Sequence, residues 1–245
     1  SRVRVCAVLL LILCAGPAAA AEDVAVAVAS NFQSTALQLA NRFLEKTGYT
    51  VRLSSGSTGK LYSQIIHGAP FDVFLAADIE RPRLLEDSGL GVYQSRFTYA
   101  IGGLVIFSSS VRDCHAALRE PDSGFVAIAN PATSPYGAAA KQYLEATGLW
   151  QDVSLRAVYG ENVTQAWQFA FTGNAVIGLA ARAHMRAWPR EPACAIEVSQ
   201  ALHDPIEQQV VLLNGENSVA RAFIEFLRTE DAREIIEQDG YQVPR

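Results

Sequence analysis

Apolar and polar positions along the chain alternate between two rhythms. Short apolar runs, read as strands, fall at 24–29, 50–54, 73–76, 99–107, 125–129, 155–159, 175–180 and 208–213. Stretches with helical spacing fill most of the gaps, at 32–47, 60–67, 81–87, 135–147 and 164–172, and two more follow the last strand at 218–227 and 231–239. In the first helical stretch Leu37, Ala40, Phe43 and Leu44 recur at helical intervals, and Gly48 stands just past its end as a stop signal. Such alternation predicts an α/β protein with largely parallel sheets. The length is more than one core ordinarily needs at roughly 100–150 residues per domain, so two lobes are expected. The extended stretches 96–107 and 204–213 are longer than a sheet strand of roughly 5–6 residues and are candidates for passages between the lobes.

One device recurs four times. A strand runs into a small polar turn and the turn opens a helix: at Ala29-Ser30-Asn31-Phe32, at Ser55-Gly56-Ser57-Thr58-Gly59, at residues 130–137 ending in Ser134-Pro135-Tyr136-Gly137, and at Gly160-Glu161-Asn162-Val163-Thr164. Each leaves backbone N–H groups unpaired at a helix start, beside hydroxyl or amide side chains, and such a set holds an anion without a basic residue. Pro135 at the first helical position with Ser134 as cap makes the Tyr136 N–H the next free donor; an Asn162 cap with Gln165 three residues on leaves the Val163 N–H. The plainer reading of any one turn is an ordinary cap serving its own helix. All four follow strands, however, at the carboxyl ends where open α/β sheets bind ligands, and the set points to oxyanion binding rather than to chemistry on the anion.

The N-terminus changes the picture of where this happens. Arg2 and Arg4, an apolar run at 5–13 and a small-residue zone at 14–21 form the pattern of a secretory signal peptide, with cleavage expected near Ala20 or Ala21 and a periplasmic mature protein. Cys14 follows Leu13, where a lipoprotein signal has a small residue. The net charge is −5 over the whole chain, and losing the two leader arginines leaves it more acidic still, which argues against a nucleic-acid partner. An acidic protein that binds an anion must rely on local dipoles. Cys114 and Cys194 remain after the leader is removed; a disulfide between them and two free, part-buried thiols are both open.

Other chemistry finds little support. Ser54 to Lys60 falls short of a phosphate-binding P-loop, because Ser54 stands where the first glycine belongs and Leu61 where Ser or Thr belongs. No G-x-S-x-G elbow is present. His67, His115, His184 and His203 lack metal-ligand spacing and read as packing or surface residues, and Asp72 and Asp78 read as a strand edge and a helix cap rather than an acid–base pair.

These residues resemble a known family, the periplasmic molybdate-binding proteins of ABC importers, within the type II periplasmic-binding fold. The resemblance spans the chain beyond the leader. It is carried by Ala29-Ser30-Asn31-Phe32, by residues 54–59 leading to Gly68-Ala69-Pro70-Phe71-Asp72-Val73-Phe74 and Ala77-Asp78, by 96–102, by Ile128-Ala129-Asn130-Pro131, by Pro135-Tyr136-Gly137, by Glu161-Asn162-Val163-Thr164-Gln165 and by Thr172-Gly173-Asn174-Ala175. It implies two α/β lobes, 22–99 with 207–245 and 100–206, joined by two crossovers, after a signal peptide at 1–21. The oxyanion is then expected between the lobes, held by Ser30 and Thr58 with Asn31 and Ser57 adjacent, and by the backbone N–H groups of Tyr136 and Val163. Part of the family adds a Tyr hydroxyl where this chain has Ala181; either one donor is missing or Asn31 replaces it. The implied partners are molybdate or tungstate and the membrane permease of an ABC importer; the implied protein is monomeric, without cofactor and not an enzyme. The alternatives are a binding protein for sulfate or another oxyanion, and a periplasmic hydrolase using Ser57 or Thr58.

Overall fold

A computed structural model describes residues 23–186 and 191–244; the leader at 1–21 lies outside the described residues. The described residues form two sheets of five strands each. The first contains β1 (Asp23–Ala29), β2 (Thr50–Gly56), β3 (Val73–Leu75) and β4 (Phe97–Gly102), with helices α1 (Gln33–Thr47), α2 (Thr58–Ile66) and α3 (Glu80–Asp87) between them. The second contains β5 (Leu104–Ser108), β6 (Val126–Ala129), β7 (Ala157–Gly160), β8 (Ile177–Ala181) and β9 (Cys194–Glu197). Its helices are α4 (Cys114–Arg119), α5 (Pro135–Ala146), α6 (Trp150–Leu155), α7 (Val163–Phe171) and α8 (Arg182–Arg186). The chain then returns to the first sheet as β10 (Ile206–Leu212) and ends in α9 (Ser218–Phe226) and α10 (Glu230–Gln238).

The strand orders are β2-β1-β3-β10-β4 and β7-β6-β8-β5-β9. In each sheet three neighbouring strands are parallel and the fourth runs antiparallel to both its neighbours. That fourth strand, β10 or β5, is the one that enters directly from the other lobe. β1 reads as a continuous apolar run because both its faces are covered. Val24, Val26 and Val28 face a core with Phe32, Leu39, Phe43 and Phe223, whereas Ala27 faces a second core with Leu61, Phe74, Leu85 and Val211. The second lobe has its own core, built on Ile106, Phe107, Ile128, Tyr143, Leu144 and Leu179.

The predicted strand at 99–107 is two strands in different sheets. The chain passes between lobes at Gly102-Gly103, so residues 100–102 stay with the first sheet rather than opening the second lobe. A Cβ on Gly102 would overlap the Tyr136 phenol oxygen, and only glycine permits the passage to run against that ring. Residue 155, expected to begin a strand, ends α6 instead, and the strand starts at Ala157. Cys114 and Cys194 are joined by a disulfide with a Cα–Cα distance of 5.9 Å, tying the start of α4 to the edge strand β9. Among the described residues no helix is long and apolar enough to cross a membrane.

Candidate functional site between the lobes

Register brings the four turns together in pairs. Ala29 pairs with Gly56 at the ends of parallel β1 and β2, so Ser30 and Ser57 leave adjacent strand ends. Ala129 pairs with Gly160 at the ends of parallel β6 and β7, so the turns leading to Tyr136 and Val163 leave adjacent strand ends of the other sheet. The two pairs meet. Gly59 N donates to Thr133 O at 2.9 Å and Thr164 Oγ1 donates to Ser30 O at 3.1 Å, each across the cleft. Lys60 Nζ lies 3.1 Å from Glu161 Oε1 at the exposed rim. The lobes are therefore closed on one another, and Ser30, Asn31, Ser57, Thr58, Tyr136 and Val163 are 1–7% exposed.

The helix starts differ in how their donors are used. In α7, Asn162 Oδ1 accepts from Gln165 N and Asn162 O from Ala166 N, while Gln165 Oε1 reaches back to Glu161 N. This leaves the N–H groups of Val163 and Thr164 as the first-turn donors without a cap. In α5, Pro135 has no N–H, Gly137 N donates to Ser134 Oγ at 3.4 Å and Ala138 N to Ser134 O, so Tyr136 N–H remains. The first-lobe turns use no side-chain cap at all: Ser57 stands at the cap of α2 with only its carbonyl bonded to the helix, through Leu61 N, and the single 3-10 turn Ser30–Phe32 likewise has no side-chain cap. Ser57 Oγ is buried with no hydrogen-bond partner in the protein, which ordinarily costs about 1–3 kcal/mol. Thr58 Oγ1 accepts from Ala77 N at 3.1 Å, and its own proton stays available to donate.

Asn31 is used differently from the expectation. Its two side-chain amide hydrogens go to Gln208 Oε1 at 2.8 Å and Tyr241 Oη at 3.1 Å, and Tyr241 Oη donates to Asn31 O at 2.7 Å. The side chain's N–H groups thus brace the first lobe. Gln208, fully buried in β10, also accepts from Tyr99 Oη and donates to Tyr136 Oη at 3.4 Å across the lobes. Burial pushes the phenols of Tyr99, Tyr136 and Tyr241 up, so they remain protonated. Ala181, at the end of β8, offers no side-chain donor.

Cations stay out of the four turns, which contain no Lys or Arg. Lys60 pairs with Glu161, Arg81 with Asp78, and Arg182 with Glu197 and the Gly240 carbonyl. Asp72 bonds Ala25 N and Asn214 rather than pairing with Asp78. Among the described residues no group of three or more His, Cys, Asp or Glu could hold a metal ion. The four turns therefore offer hydroxyl and main-chain amide donors rather than cations.

Two residues of this region escape local sequence reading. Thr164 and His184 meet at 3.2 Å, and His184 stacks on Trp167 with ring centroids 5.4 Å apart. Burial pushes the His184 imidazole down to about 4.

Comparison with known proteins agrees with this architecture. Residues 24–242 match the family of bacterial extracellular solute-binding proteins. The molybdate-binding protein ModA of Rhodobacter capsulatus is 42% identical over 229 residues, covering 92% of this chain and 90% of that protein. ModA of Azotobacter vinelandii is 41% identical over 237 residues, covering 94% and 93%. The solved structure of the Azotobacter vinelandii periplasmic molybdate-binding protein superposes with a TM-score of 0.86 at 35% identity, over 91% of this chain and all of that one. With two sheets of matching topology closed over a buried cleft, the chain belongs to the bacterial extracellular solute-binding protein family.

Proposed function

We propose that this protein captures molybdate, and tungstate comparably, in the cleft and delivers it to the membrane permease of an ABC importer, working in the periplasm after loss of its leader. The observation that carries the reading is the buried, unpartnered Ser57 hydroxyl in a closed cleft with uncapped N–H groups from both lobes. Ser30, Ser57 and Thr58 supply hydroxyl donors, and Asn31, Tyr136 and Val163 supply main-chain N–H. The names of the relatives support the choice of anion.

Donors alone suit a particular guest. Molybdate at neutral pH is a dianion without a proton, so every oxygen accepts; hydrogen bonds to a charged acceptor contribute about 1.5–3 kcal/mol each, and several together outweigh desolvation. Phosphate retains a proton, and the main-chain N–H groups cannot accept it; only a hydroxyl oxygen could, so phosphate matches this lining less well, and a proton left unpaired there costs roughly 1–3 kcal/mol. Sulfate shares the charge and differs in size, so selection against it lies in the fit of the closed cavity. Because donors come from both lobes, the anion binds the closed form better and draws the equilibrium towards it.

Calorimetric titration with molybdate, tungstate, sulfate and phosphate tests this directly. Molybdate and tungstate are expected to bind comparably and phosphate weakly; sulfate displacing molybdate at equal concentration would reassign the ligand. Ser30→Ala and Thr58→Ala should each weaken molybdate binding by about tenfold or more, given the strength of a hydrogen bond to a charged group. Lys60→Ala should change it little, because the Lys60–Glu161 pair is 49% and 69% exposed and such pairs contribute about 0–1 kcal/mol.

A further inference from the structure

The Thr164 side chain, from the second lobe, reaches across the cleft to the main chain of the first. Thr164, the second residue of α7, donates its hydroxyl to the Ser30 carbonyl at 3.1 Å, and His184 Nε2 lies 3.2 Å from the same Oγ1. A threonine hydroxyl has a single proton. With that proton given to Ser30 O, the imidazole must donate through Nε2–H, and Nδ1 is left as the bare nitrogen. The surroundings agree, since Nδ1 is buried with no partner. The ring cannot readily turn away, being 9% exposed and stacked on Trp167. A directed chain of hydrogen bonds therefore runs from α8 through α7 into the first lobe.

Its end point lies at the anion site. The Ser30 carbonyl belongs to the same peptide unit as the Asn31 N–H, and a carbonyl that accepts hydrogen bonds polarises its peptide and strengthens that N–H as a donor. Ser30 O already accepts from Gln33 N; Thr164 adds a second bond that exists only when the lobes meet. Thr164 also adjoins Val163, so the bridge and a second-lobe anion donor share one helical turn.

We propose that Thr164, oriented by His184, is a positioning residue that latches the closed form: it couples occupation of the anion site to the lifetime of closure without touching the anion through its side chain. This rests on the molybdate reading given above. In the open form the hydroxyl and the carbonyl both return to water, so losing the latch should speed release more than it slows capture.

The test compares wild type, Thr164→Val, Thr164→Ser and His184→Phe, each by molybdate calorimetry, stopped-flow release and ligand-free thermal melting. Thr164→Val keeps the shape and removes the donor; about three- to tenfold weaker binding is expected, with the loss in faster release, in keeping with one neutral hydrogen bond. Thr164→Ser should restore release to about the wild-type rate. His184→Phe keeps a ring against Trp167 and should release faster than wild type. Wild-type affinity and release in the Val variant would overturn the latch while leaving the molybdate reading standing. Failure of the wild type to bind molybdate would overturn that reading instead. Should the Val variant melt early without ligand, the deciding measurement becomes release from His184→Phe, where an unchanged rate overturns the latch and a faster one supports it.

Discussion

His184 shows what a single side chain reports. Its imidazole takes a proton only near pH 4 in the folded protein, because burial disfavours the cation, whereas in the unfolded chain it does so near 6.5. As pH falls below about 6.5 the unfolded state binds the proton first, so stability declines down to about pH 4 and the loss is complete below that. The shift corresponds to roughly 3 kcal/mol at most. Urea unfolding at pH 7 and pH 4.5 should show a smaller drop for His184→Phe than for wild type; equal drops would mean that His184 does not carry this term. At this scale the turn chemistry was readable in advance. Pro135 after Ser134, and Asn162 followed by Gln165, announce which first-turn N–H groups their caps leave over. The bracing role of Asn31 was not, since its partners Gln208 and Tyr241 lie 177 and 210 residues away. Nor was the reach of Thr164, whose acceptor is 134 residues distant.

Elements were legible where their periodicity was long and their faces distinct. α1, α5, α7 and α9 lie within a residue or two of the helical patterns at 32–47, 135–147, 164–172 and 218–227. Short elements escaped: α4, α6, α8 and β9 have too few residues for a period to show, and β9 is held at a sheet edge by β5 rather than by its own apolar pattern. The run at 99–107 misled because both sheets bury their strands, so apolar character continues through the passage at Gly102-Gly103 with no mark of the change. Element geometry also fixes where the Tyr136 N–H, a proposed donor, sits. Gly137 lets α5 start hard against the end of β6, and a Cβ there would overlap the Ala129 carbonyl oxygen. Gly137→Ala should therefore push α5 outward, costing about 1–3 kcal/mol of stability as overpacking does. Molybdate affinity should fall with it as Tyr136 N–H moves, and calorimetry beside urea unfolding would show both. An Ala variant with native affinity would mean that this N–H does not face the anion.

For the whole molecule, the two-lobed α/β plan followed from alternation and length and the interlobe site from the family resemblance, while register supplies the physical reason by placing the four turns at neighbouring strand ends. The disulfide belongs to this scale too. Cys114 and Cys194 are separated by 80 residues and staple the outer edge of the second lobe. The paired Cys114→Ser, Cys194→Ser variant should lose about 2–5 kcal/mol of stability, yet bind molybdate like wild type below its melting transition, because the staple lies on the β9 edge of the sheet and the cleft opens beyond β6 and β7. The strand order has a further bearing on how the chain matures. β10 lies between β3 and β4, so the first sheet stays split until residues 206–212 have been made, whereas every strand of the second sheet precedes them. The lobe begun first is thus finished last, and a nascent or truncated chain ending before β10 carries two bare strand edges ready to pair with a neighbour.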